Sequence, residues 1–104
     1  MDTCLVPPII KKISLPNKKY NQKIDLNKLF QSMKTNESFQ AQYDKRKNPY
    51  QNWVEITITG KAKIFSNGTA TTNLMLPDES LIEFFDKIYK AYIKDCIGDV
   101  QKWS

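Results

Sequence analysis

The chain has 104 residues, 40% apolar and 26% charged, with 16 Lys and Arg against 11 Asp and Glu for a net charge of +5. That length fits one small domain with a modest core and leaves no room for a second. The absence of His excludes Cys/His and Ser/His/Asp catalysis and zinc sites built on His, and the two Cys, Cys4 and Cys96, lie too far apart to form a CxxC pair.

The longest apolar stretches are only a few residues, as in Leu74-Met75-Leu76, against the roughly 20 needed to cross a bilayer. The N-terminus, with Asp2 and no apolar run, does not read as a signal peptide. The expectation is an intracellular protein of cytoplasm or nucleus, with free thiols, no metal, no cofactor and no membrane partner. Asn36-Glu37-Ser38 and Asn67-Gly68-Thr69 match the glycosylation pattern, but without a secretion signal they count as chance. Charge is uneven: residues 11–63 hold 12 Lys and Arg and 4 acids, whereas residues 64–104 hold 4 Lys and 6 acids. A basic N-terminal half suits an anionic partner; a solvated Lys-rich surface is the plainer reading of the same composition.

In chain order, residues 1–8, ending in Pro7-Pro8, read as a flexible tail, residues 9–97 as one domain, and residues 98–104 as a second tail. Ile9 to Leu15 alternate as a strand stopped by Pro16. Asp25 is placed to cap a helix whose Leu26, Leu29, Phe30 and Met33 form one apolar stripe. Phe39, Ala41 and Tyr43 alternate as a short strand, and the charged connection Asp44-Lys45-Arg46-Lys47-Asn48-Pro49 follows. From Trp53, the residues Val54, Ile56 and Ile58 face one side and Trp53, Glu55 and Thr57 the other, ending at Thr59-Gly60. Asn67-Gly68 predicts a two-residue type I′ hairpin joining strands 61–66 and 69–74. Pro77-Asp78 opens the longest helix, 78–96, with Leu81, Phe84, Phe85, Ile88, Tyr92 and Cys96 on its apolar face.

The order is β-α-β-β-β-β-α, an α+β fold with an antiparallel sheet and helices packed on one face. Such a sheet leaves its other face to water or a partner. With Val54, Ile56, Ile58 and Ile64 turned to the helices, Trp53, Glu55, Thr57, Lys61, Lys63 and Phe65 share the open side. For the return strand, either Thr69, Thr71 and Asn73 or Ala70, Thr72 and Leu74 complete it, the second set being the more apolar and better suited to the core. Aromatics, hydroxyls, amides and Lys together can meet base edges and phosphates; a Trp or Phe on a sheet is also ordinary packing.

The segment Ala62-Lys63-Ile64-Phe65-Ser66-Asn67-Gly68-Thr69-Ala70-Thr71-Thr72-Asn73, followed by an acidic helix start and a long amphipathic helix, resembles the "ALIFSSGKMVCTGA" hairpin and final helix in one half of the TATA-binding protein family. Lys23-Ile24-Asp25-Leu26 stands where that family has "KLDL", and Asn48-Pro49 precedes the central strand as "NP" does there. The likeness runs over residues 9–97 in the same element order, and rests on order and spacing more than on any one motif. It implies a TBP-like half with a curved sheet. The family's two repeats form a saddle that binds the DNA minor groove and wedges Phe side chains between base steps. A single repeat then implies a homodimer or a protein partner, and suggests a viral or mobile-element source, acting in the host cell.

Position by position, the resemblance places Phe65 on a wedging Phe and Trp53 near the second wedge. Lys63 replaces a Leu, Thr71 a Val and Asn73 a Thr, and near Lys12 the family has an Asn that contacts central base pairs. The implied nucleic-acid-binding residues are therefore Lys12, Trp53, Lys61, Lys63, Phe65, Thr71 and Asn73, with Lys45, Arg46 and Lys47 as phosphate contacts and Lys18-Lys19 as a weaker basic pair. The expected function is a transcription-related, TBP-like binder of the minor groove of double-stranded DNA, A·T-rich by analogy, although Glu55 sets a carboxylate where phosphates and base acceptors repel it. The alternative is a protein-interaction adaptor that keeps the fold without binding DNA. Asp25, Asp44 and Glu55 are too scattered for a catalytic pair and three glycines make no phosphate loop, so no catalytic residue is expected.

Overall fold

Alternation of small or branched apolar side chains with polar ones along three consecutive strands decides how the chain folds. The computed structural model describes residues 10–45 and 52–98. In order come β1 (Lys11–Ser14), α1 (Pro16–Lys19), β2 (Lys23–Ile24), α2 (Leu26–Met33), a 3₁₀ turn (Glu37–Phe39), β3 (Gln42–Asp44), β4 (Trp53–Thr57), β5 (Lys61–Phe65), β6 (Thr69–Thr72), α3 (Asp78–Ile88) and β7 (Ile97–Gly98). The main sheet has five strands in the order β1-β6-β5-β4-β3, and β2 pairs separately with β7. Every pairing is antiparallel. The molecule is a mixed α+β fold with an open antiparallel sheet.

The core lies between one face of that sheet and the helices. Val54 and Ile56 of β4, Ile64 of β5, Ala70 of β6, Leu29 and Met33 of α2, and Ile93 are all fully buried, and Phe85 and Ile88 of α3 join them. Each of these side chains larger than Ala70 contributes roughly 1.5–3 kcal/mol of burial. The return strand settles its two parities the same way, since Ala70 and Thr72 are buried while Thr69 and Thr71 are half-exposed. Ile58, expected on the core side, falls beyond the end of β4 and is exposed.

Asp25 caps α2 as its sequence position suggests, its carboxylate accepting from the Lys28 N–H at 3.2 Å. Phe39 does not begin a strand. It closes a 3₁₀ turn capped by Asn36, whose side chain accepts from Ser38 N–H at 3.0 Å, and its ring meets Tyr92 edge-on at 5.5 Å. The long helix keeps α geometry only to Ile88; residues Tyr89–Ile93 widen into a π turn and Lys94–Cys96 tighten into a 3₁₀ turn. The wider turn brings Ile93 into the core five residues after Ile88, a spacing that α periodicity does not favour.

The Asn67-Gly68 turn also differs from a two-residue type I′ hairpin. Positive φ falls on Gly68 alone, at 93°, and its N–H donates to the Phe65 carbonyl at 3.1 Å, the pattern of a three-residue loop ending in a left-handed glycine. This turn is covered by the α1–β2 segment: Leu15 N–H donates to Gly68 O at 2.7 Å and Ile24 N–H to Ser66 O at 2.8 Å. A Cβ on Gly68 would fall within 2.9 Å of the buried Asn17 side chain and of Lys18 Cβ. The expected tails lie outside the described residues except Gly98, which pairs with Lys23.

Gly68 therefore meets two demands at once, a left-handed φ and a close approach. Gly68→Ala is expected to lower stability by roughly 2 kcal/mol or more in urea denaturation. An unchanged midpoint would contradict this account of the turn.

Candidate nucleic-acid interface

Burying one parity of β4, β5 and β6 sends the other parity to the far face of the sheet. Registers set those side chains in rows. Asp44, Trp53 and Phe65 make one row, and Gln42, Glu55, Lys63, Thr71 and Lys12 make a second that crosses all five strands. Thr57 and Lys61 begin a third. Among the described residues the helices α2 and α3 pack on the opposite side, so this face stays open.

Trp53 and Phe65, directly opposite across β4 and β5, have ring centroids 5.8 Å apart and planes inclined at 54°. The Lys63 ammonium lies 4.5 Å from the Trp53 ring centroid, within cation–π range. Lys61 Nζ stands 3.8 Å from Glu55 Oε1, and the Glu55 side chain is only 13% exposed against 60% for Lys61. At one end of the face Lys18, carried there by α1, donates to Thr69 Oγ1 at 3.0 Å.

Lys12, Trp53, Lys61, Lys63, Phe65 and Thr71 thus share one surface. Asn73 has a different position. Its Oδ1 accepts from the Lys61 N–H at 2.8 Å and its own N–H donates to Lys61 O at 3.2 Å, so its side chain closes the end of the β5–β6 ladder. Gly60 makes this possible, because a Cβ there would come within 2.8 Å of that oxygen. Lys45 follows the edge strand β3, with its ammonium 5.4 Å from the Tyr43 ring; Arg46 and Lys47 lie outside the described residues. Lys18 joins the face through tertiary structure alone, since the short helix that swings it round to β6 has no periodic signal.

No family model, curated protein or solved structure matches this chain. The site is accordingly read from its own chemistry. Four ammonium groups (Lys12, Lys18, Lys61 and Lys63) share the face with a half-buried aromatic pair, and among the described residues Glu55 and Asp44 are the acids there. Rings offer stacking or wedging surfaces and ammoniums offer phosphate contacts. Among the described residues no helix is long and apolar enough to cross a membrane, and no three His, Cys, Asp or Glu come together in a group able to hold a metal ion. Cys96 is buried, its Sγ donating to Tyr92 O at 3.3 Å; burial pushes its thiol up, with Lys28 opposing the shift and Asp25 and Asp95 adding to it. A protonated, buried thiol behaves as a small apolar side chain.

The Trp53–Phe65 contact has its own readout. In a Trp103→Phe background, Phe65→Ala is expected to shift Trp53 emission to the red while lowering stability by only about 1 kcal/mol. An unshifted spectrum would mean the rings are not paired in solution.

Proposed function

We propose that the chain binds the minor groove of double-stranded DNA through the open face of its five-stranded sheet, as a homodimer and in a transcription-related role. The observation that carries this reading is the Trp53–Phe65 pair standing on a sheet face among Lys12, Lys18, Lys61 and Lys63. Apolar rings inserted at base steps, with cations on the flanking phosphates, are the means by which sheet proteins hold and bend a minor groove. Both rings are half-buried, so part of each lies at the surface of the sheet.

The dimer rests on the outer edge of β1, which pairs with no other strand among the described residues. Leu15 donates to Gly68, so by antiparallel alternation Ile13 and Lys11 also turn their backbone groups to β6 while those of Lys12 and Ser14 point outward. A second β1 centred on Ile13 pairs Lys12 with Ser14 of the second copy and keeps like charges from standing opposite. The groove between β1 and α3, floored by Ile13, Leu81 and Phe85 and rimmed by the 60%-exposed Ile82, supplies apolar surface beside that edge. Two sheets joined this way present one continuous face.

The second reading, an adaptor that binds protein and not DNA, is favoured by Met75 and Leu76, which are 86% and 40% exposed between β6 and α3. Titration of labelled duplexes by fluorescence anisotropy separates the two. Binding is expected to weaken steeply with salt, to be displaced by a minor-groove-filling polyamide, and to fall about tenfold or more in Phe65→Ala. Lys63→Ala should flatten the salt slope by about one unit. No binding at low salt overturns the reading in favour of the adaptor.

Sedimentation tests the edge. Ser14→Pro removes an outward-facing N–H that no strand among the described residues uses. It is expected to abolish dimers and weaken DNA binding while leaving the melting temperature nearly unchanged. A wild-type chain that stays monomeric with and without DNA would contradict the dimer.

A further inference from the structure

Glu55 is the anomaly of the open face. It stands in the row Gln42, Glu55, Lys63, Thr71, Lys12, one register step from the Trp53–Phe65 pair. Its side chain is 13% exposed, and the nearest ammonium, Lys61 Nζ, is 3.8 Å away. That is an ion-pair distance, too long for a hydrogen bond. Among the described residues no donor lies within hydrogen-bond reach of the carboxylate. A carboxylate on a mostly buried side chain, with lone pairs that no described donor takes, gains from a ligand that brings an N–H to it.

Base edges differ sharply on this point in the minor groove. A·T and T·A pairs present only the adenine N3 and thymine O2 acceptors there, while the guanine 2-amino group is the one donor. An ionised carboxylate repels the first and accepts from the second. Gln42, beside Glu55 in the row, can both donate and accept. Lys61 and Lys63 flank Glu55 and keep the local charge positive, so phosphates are still attracted.

We infer that Glu55 makes this face select minor grooves that carry a purine 2-amino group, so that guanine-containing steps are preferred over A·T runs. The inference rests on the duplex-binding reading and names its ligand. Selection by Glu55 runs against the A·T preference that the resemblance implies, because the carboxylate occupies a face that A·T recognition needs supplied with donors or apolar groups.

The test uses the full chain and four duplexes that differ only in their central pairs: G·C, inosine·C, A·T and 2,6-diaminopurine·T. The first and last carry the 2-amino group and the other two lack it, while the major-groove edges of G·C and inosine·C are alike. The amino-bearing duplexes are expected to bind about tenfold tighter than their amino-free partners. Glu55→Gln, which can donate as well as accept, should bind all four at least as well and bring the preference to within about twofold. Its circular-dichroism melt should match that of the wild type. Equal affinity for G·C and inosine·C, a preference for A·T, or a preference that survives in Glu55→Gln overturns the inference and leaves duplex binding standing. Failure to bind any of the four overturns the duplex reading and this inference together.

Discussion

Strand periodicity is the constraint on which everything else rests. Successive side chains point to opposite faces of a sheet, so burying Val54 and Ile56 against α2 obliges Trp53, Glu55 and Thr57 to face away. Register then carries that decision across the sheet: Ala62 and Ile64 lie opposite Ile56 and Val54, which places Lys61, Lys63 and Phe65 on the far side. A slip of one residue would exchange the two sets, burying three charges and exposing the core. The energetic preference for this register is therefore far larger than any single contact on the open face, and the face is a geometric consequence of the core.

Edges and corners of the sheet depend on a second, smaller set of contacts. The β5–β6 turn is pinned by Gly68, by Leu15 and Ile24 donating to its carbonyls, and by Asn17, whose Nδ2 donates to Gln22 O at 2.9 Å. The same knot holds α1, and through α1 the Lys18 ammonium at Thr69. On the opposite side of the sheet, Lys11 ties β1 to the start of α3 through Asp78 at 2.7 Å and the Leu76 carbonyl at 3.3 Å. The β1 edge is thus tied down on both flanks, and among the described residues no strand pairs with its outer side, which suits it to pairing with a second strand.

Much of this was legible in the sequence because it is local. Alternation from Trp53 to Thr57 and from Lys61 to Phe65 follows burial directly, and Asp25 followed three residues later by a helical N–H is a cap that short-range chemistry decides. The features that escaped are the ones set by distant packing. Ile93 is buried because a π turn rotates the helix after Ile88, Phe39 leaves the strand pattern because Tyr92 offers it an edge-on contact, and Asn73 turns inward to the Lys61 amide because Gly60 lets it approach. Lys18 reaches the open face by the same long-range route. The central candidates Trp53, Lys61, Lys63 and Phe65 were visible as a set because they share one parity on two adjacent strands.

The central claim is that the open face of the sheet, rather than the helical side, meets the ligand. Amide chemical-shift mapping of the full ¹⁵N-labelled chain during titration with a short duplex tests it most directly. The account predicts perturbations concentrated at Lys12, Trp53, Glu55, Lys61, Lys63, Phe65 and Thr71, with the Trp53 indole among the largest. Perturbations confined to α2 and α3, with those strands unmoved, would contradict it.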